Sequence, residues 1–134
     1  MSAPLESDFH AQPDVDVLVV DDDEAIRSTW AAILRTSGYS VAVANDGDVA
    51  LRFLREQMVG MILLDVRMPR RDGLAVLEAL TAPQLVVLAS GQSLDPATRA
   101  RTDAKVVTYL EKPVPPERLL EVVASTLGAS LVDG

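Results

Sequence analysis

The chain has 134 residues, no cysteine and only 4% aromatic residues, and its 12 Lys and Arg against 20 Asp and Glu leave a formal charge of −8. That length supports one domain with its own core, and the lack of cysteine rules out a disulfide framework and thiol chemistry, in keeping with a reducing compartment. The acidic balance argues against a binder of nucleic-acid backbone, which would carry a basic stripe, so no direct nucleic-acid partner is expected.

Residues 1–14 read as a flexible tail, with Pro4, Pro13, small or polar residues and no periodicity. This start lacks the basic region and apolar centre of a secretory signal. No run approaches the roughly 18 apolar residues of a membrane span, so a cytoplasmic protein is expected. From residue 15 the chain alternates short apolar runs with segments of helical period, the pattern of a parallel sheet with helices on both faces. The runs are VDVLVV (15–20), SVAVA (40–44), MILLD (61–65), LVVLAS (85–90) and VVTYL (106–110).

The first helix puts Ile26, Trp30, Ile33 and Leu34 on one face and ends at Gly38. The second, near Asp48 to Gln57, buries Val49, Phe53 and Leu54, and the third holds Leu74, Leu77 and Leu80. A fourth, around Pro96 to Asp103, is weak: helical spacing turns Leu94, Ala97, Ala100 or Arg101, and Ala104 inward, giving it one large apolar anchor, so a short, mobile helix is expected. The fifth opens at Pro115 and Pro116, carries Glu117 in its first turn and buries Leu119, Leu120, Val123 and Leu127. The domain is expected to span 15–128, with residues 129–134 as a C-terminal tail.

In open α/β sheets, ligands bind beyond the carboxyl ends of the strands. The first strand ends in Asp21, Asp22 and Asp23, the third in Asp65 and the fourth in Ser90, while Lys112 and Pro113 follow the fifth. Crowded carboxylates repel unless they share a cation. Mg²⁺ suits such a site, because it takes one or two carboxylates and leaves room for phosphate oxygens. Asp65, single and central, is then the nucleophile that attacks a phosphoryl group and becomes an acyl phosphate. Ser90 donates to one phosphoryl oxygen and Lys112 pairs with another. Asp23 is read as the N-cap of the first helix. The only histidine, His10, lies in the tail, which argues against a histidine-based catalyst.

VLVVDDDEAIR, LLDVRMPRRDG, VLAS and YLEKP, in this order and spacing, resemble the receiver domain of two-component response regulators over about residues 15–128. The resemblance implies a flavodoxin-like sheet of order 2-1-3-4-5 and a stand-alone receiver that is not a turnover enzyme. It makes Asp65 the phosphoacceptor and Asp21 and Asp22 the acidic pair for Mg²⁺, with the backbone carbonyl of Arg67 as a further ligand. Ser90 and Tyr109 become the switch pair, and Lys112 the phosphate-binding lysine before a cis peptide to Pro113. The implied partners are a sensor histidine kinase or phosphotransfer protein, and a downstream protein that reads the face of helix 4, strand 5 and helix 5.

Three positions depart from the family pattern: Gly91 after Ser90, Lys105 and Val106 before the last strand, and Arg67 two residues past Asp65, where side chains are thought to tune phosphoryl lifetime. They bear on kinetics and remove no chemical group. Two alternatives stand beside this reading. One is a haloacid-dehalogenase-type phosphatase using Asp21 as nucleophile, although the late acidic pair that family needs is not found. The other is a pseudo-receiver that binds proteins without taking phosphate.

Overall fold

A computed structural model describes residues 13–68 and 72–133, with the side chains of 129–133 outside the description. Five strands alternate with five helices: β1 (Val15–Val20), α1 (Glu24–Thr36), β2 (Val41–Ala44), α2 (Gly47–Glu56), β3 (Val59–Asp65), α3 (Gly73–Ala79), β4 (Val86–Ser90), α4 (Pro96–Thr102), β5 (Thr108–Glu111) and α5 (Pro116–Asp133). All pairings are parallel, in the order β2-β1-β3-β4-β5, the doubly wound topology expected. The last helix runs past residue 128 to Asp133. Most of the tail, His10 included, and residues 69–71 lie outside the described residues.

The near-continuous apolar strands follow from a sheet covered on both faces. Alternation sends Leu18, Val20, Ile62, Leu64 and Leu88 into one cluster, packed against Ala50 of α2 and Val76 and Leu77 of α3. Val17, Val19, Met61, Leu63 and Val87 enter the other, against Trp30 and Leu34 of α1 and Leu119 and Val123 of α5. The register sets Val20 beside Leu64 and Asp65 beside Ala89, so β1, β3 and β4 deliver their terminal side chains to one edge.

Much of the acidic surplus serves local structure. Asp23, Asp46, Asp72 and Asp95 are the N-caps of α1 to α4, each accepting from amides of the first turn. Of these four, sequence pattern singles out only Asp23. Gly38 takes φ +99 after α1, where a side chain would be strained.

The inward face of α4 differs from the sequence expectation. Ala97, Ala100, Arg101 and Ala104 are exposed, Leu94 is half-buried, and Thr102 is the buried residue of this helix. The reason is polar: Thr102 Oγ1 lies 3.1 Å from the Thr98 carbonyl and 2.6 Å from Tyr109 Oη, so its hydroxyl is satisfied where an alanine methyl would leave space. Among the described residues, no helix is long and apolar enough to cross a membrane.

Candidate functional site

The tight turn after β1 places Asp21 and Asp22 at the carboxyl edge of the sheet. Asp21 is 1% exposed, its Oδ1 accepting from the Asp23 amide at 2.9 Å, while Asp22 faces solvent. Arg27, one turn into α1, donates to the Asp21 backbone carbonyl at 2.9 Å and so ties the loop to the helix. Asp65 closes β3 and is 7% exposed. The carboxylates of Asp21, Asp22 and Asp65 offer oxygens that lie within 4.8 Å of one another.

Lys112 enters from the far side of β4, its amide donating to the Ser90 carbonyl at 2.7 Å. The ammonium bridges two carboxylates, 2.6 Å from Asp21 Oδ2 and 2.9 Å from Asp65 Oδ1. Its Nζ also lies 5.9 Å from the centre of the Trp30 ring. The peptide from Lys112 to Pro113 is cis. Burial pushes the Asp65 carboxyl above the usual range; Lys112 pulls it back, Asp21 and Asp22 push it further up, and the net direction is up. Burial alone would lower the Lys112 ammonium, but its bonds to Asp21 and Asp65 outweigh that and raise it.

Ser90 is also buried, at 7%, and its Oγ accepts from the Gln92 amide at 3.1 Å. Ser90 and Tyr109 line a common cavity of about 270 Å³ with Leu88, Leu94 and Arg99. The Tyr109 hydroxyl is committed to Thr102 and Asp103 at the end of α4. Arg67 is exposed, and its Nη2 donates to Gln92 Oε1 at 3.2 Å, linking the loops after β3 and β4.

Every site residue taken from the sequence therefore lies at or near this edge of the sheet, with the Tyr109 hydroxyl bonded to α4 and not to Ser90. Four contributors escape the sequence reading of the site: Arg27, Gln92, Trp30 and Gly73. The last has its amide bonded to the Val66 carbonyl at 2.9 Å, directly behind Asp65. The first three carry no site signal in the sequence, since Arg27 and Gln92 depend on a side chain meeting a distant loop atom and Trp30 is placed in the core by its helix face.

Among the described residues, the carboxylates of Asp21, Asp22 and Asp65 meet at this edge, and the Lys112 ammonium is bonded to two of them. This donor set, all oxygen and partly open to solvent at Asp22, fits a hard divalent cation.

Residues 17–124 match the family of the response regulator receiver domain. The chain is 36% identical over 117 residues to Transcriptional regulatory protein ZraR of Salmonella typhimurium, covering 84% of this chain and 26% of the relative. It is 39% identical over 110 residues to Response regulator MprA of Mycobacterium bovis, covering 79% of this chain and 47% of the relative. The chain thus spans about a quarter to a half of the length of these relatives. Among solved structures, a CheY-like response regulator receiver domain protein from Methanospirillum hungatei superposes with a TM-score of 0.83 at 27% identity, covering 90% of this chain and 98% of that one. The receiver domain of NtrX from Brucella abortus gives 0.76 at 31% identity, covering 84% and 98%.

Proposed function

The chain belongs to the response regulator receiver domain family, and from that premise we propose that it accepts a phosphoryl group on Asp65 and thereby alters a protein-binding face. The observation that carries this reading is the Lys112 ammonium lodged between the carboxylates of Asp21 and Asp65 at the carboxyl edge of the sheet. Receiver domains work with histidine kinases; the donor here is the phosphohistidine of a sensor kinase or phosphotransfer protein. An oxygen of Asp65 attacks phosphorus, the P–O bond forms as the P–N bond breaks, and the imidazole leaves with the electron pair and takes a proton. Lys112, already 2.9 Å from Asp65, pairs with an equatorial oxygen as charge develops there. Ser90 turns its hydroxyl toward another.

Receiver domains bind Mg²⁺ at an acidic pocket. In this chain Asp21, Asp22, Asp65 and the backbone carbonyl of Arg67 would hold the ion, which when bound supplies the positive charge that lets a dianionic phosphoryl group approach three carboxylates. The chain acts as a phosphoacceptor and not as a turnover enzyme, in the cytoplasm, through the face formed by α4, β5 and α5. A phosphatase working through Asp21 gains no support, because both oxygens of that carboxylate are bonded, Oδ1 by the Asp23 amide and Oδ2 by Lys112, whereas Lys112 bonds Asp65 through Oδ1.

Incubation with a small acyl phosphate and Mg²⁺, followed by mass mapping, is expected to place the label on Asp65; label on Asp21 would reverse the assignment. Lys112→Ala should retain Mg²⁺ binding but lose labelling rate or switching. The metal assignment has its own check. An ion present at a hundred times its dissociation constant stabilises the folded state by about 2.7 kcal/mol, which for a domain of this size raises the melting temperature by roughly 8–10 °C. Asp22→Asn should cut that gain, and a melting curve indifferent to millimolar Mg²⁺ would overturn the assignment.

A further inference from the structure

Tyr109 is held in place by bonds, although there is room for it to move. Its Oη donates to Asp103 Oδ1 at 2.6 Å, and Thr102 Oγ1 lies 2.6 Å from the same oxygen. A phenol has one proton. With that proton given to the Asp103 carboxylate, the second bond takes the Thr102 proton, which the Thr98 carbonyl at 3.1 Å and the Arg99 carbonyl at 3.2 Å share with the nearer Tyr109 oxygen. The result is a relay from Thr102 through Tyr109 to Asp103, in which each bond polarises the next. The Arg99 guanidinium completes the arrangement, 4.3 Å from the centre of the Tyr109 ring and within cation–π range.

All three partners belong to the last turn and C-cap of α4, and Thr102 is the buried residue of that helix. The attachment of this end of α4 to β5 is therefore made largely through the tyrosine. The ring also borders, together with Arg99, the cavity of about 270 Å³ shared with Leu88, Ser90 and Leu94. Leu88 pairs with Tyr109 in the sheet, and Ser90, two residues on, points to the same face. Space for the ring beside Ser90 thus exists before any phosphoryl group arrives.

We propose that Arg99, Thr102 and Asp103 form a clasp that holds Tyr109 out of the cavity beside Ser90, and that releasing it both admits the ring and detaches the end of α4 from β5. The proposal rests on the reading of Asp65 as phosphoacceptor and Ser90 as its responder. The three clasp residues are positioning residues: they touch the tyrosine and not the phosphoryl site. With the clasp made, α4 is anchored to β5. Once Ser90 is drawn toward phosphate, the equilibrium favours Tyr109 in the cavity, and the last turn of α4 loses its bonds to β5 while Arg101 keeps its ion pair with Glu78 of α3. The clasp thus sets how much phosphoryl binding is needed to change the exposed face.

The test uses the full chain labelled with 3-fluorotyrosine, with the second tyrosine assigned through Tyr39→Phe, and beryllofluoride plus Mg²⁺ as the phosphoryl mimic. Wild type should show Tyr109 fluorine resonances that shift on saturation. Thr102→Val and Asp103→Ala should each move the mimic-free resonance toward the saturated position. Each should also lower the mimic concentration at half-conversion by roughly fivefold, the size of one hydrogen bond's net contribution. Thr102→Ser, which keeps the hydroxyl, should restore wild-type behaviour, and Arg99→Leu should give a smaller shift of the same sign. Unaltered resonances and titrations in Thr102→Val and Asp103→Ala, with the wild type still responding, would overturn the clasp and leave the phosphoacceptor reading standing. A wild type that takes label on Asp65 without any movement of Tyr109 would do the same. Absence of label on Asp65 would bring down the reading itself, and the clasp with it.

Discussion

Asp65→Asn is expected to take no detectable label from an acyl phosphate with Mg²⁺, and yet to melt at a higher temperature than wild type at neutral pH without metal. The first half follows from the chemistry: the amide has no anionic oxygen to form an acyl phosphate. The second half follows from where the carboxylate sits. Burial and its acidic neighbours hold the Asp65 carboxyl above the ordinary value of 3.8 in the folded state, against the pull of Lys112. A carboxyl with a raised folded pKa binds more protons folded than unfolded between those two values. Stability therefore falls as pH rises through that window, and the deficit persists at neutral pH.

Asparagine has the same shape and no charge, and its Oδ1 can still accept from Lys112, so the deficit is removed. As pH falls below the ordinary carboxylate value both proteins carry a neutral group, and their melting temperatures should converge. Mg²⁺ should reverse the order at neutral pH by stabilising wild type more than the variant. A variant that melts below wild type at neutral pH without metal would show that Lys112 and Asp65 form a net stabilising pair. Retained label would move the nucleophile to Asp21.

The sheet was legible because both its faces are buried: a strand such as Val17 to Val20 has no polar position to confuse its period, and its end is marked by the first aspartate. The site was legible because chain order and the rule of carboxyl ends bring Asp21, Asp65, Ser90 and Lys112 together without knowledge of any side-chain torsion. The inward face of α4 was not. Spacing alone favours alanines over threonines as core residues, and Thr102 is buried only because Tyr109 and the helix backbone satisfy its hydroxyl. The Arg67 to Gln92 bond was hidden for a similar reason, since it joins loops 25 residues apart through two long, exposed side chains. The acids divided into two groups that composition cannot separate: those that cap helices, such as Asp72 and Asp95, and those that gather at the edge.

Gly73→Ala is expected to destabilise the protein and to slow labelling of Asp65, although Gly73 touches neither phosphate nor metal. A Cβ at this position would collide with the Asp65 carbonyl oxygen and stand 3.0 Å from both the Asp65 carbonyl carbon and Val66 Cα. All three neighbours are backbone, so no flexible side chain can yield. The glycine is required by this close approach of the start of α3 to the end of β3, an approach sealed by the bond from the Gly73 amide to the Val66 carbonyl. To admit a methyl group, α3 must withdraw or the end of β3 must shift. Either movement costs roughly 1–3 kcal/mol, as overpacking of a filled site does. A shift of β3 also displaces the nucleophile from Lys112, and misplacement by about 1 Å can cost on the order of 100-fold in rate. Gly91→Ala is the control: that glycine lies one residue past Ser90, and a methyl group there would meet nothing within 4 Å, so stability should stay near wild type. Thermal melts and initial labelling rates of the two variants, measured side by side, decide the matter. If Gly73→Ala melts and labels like Gly91→Ala, then the end of β3 yields without cost, and the rigid backing of Asp65 by α3 is not what positions the nucleophile.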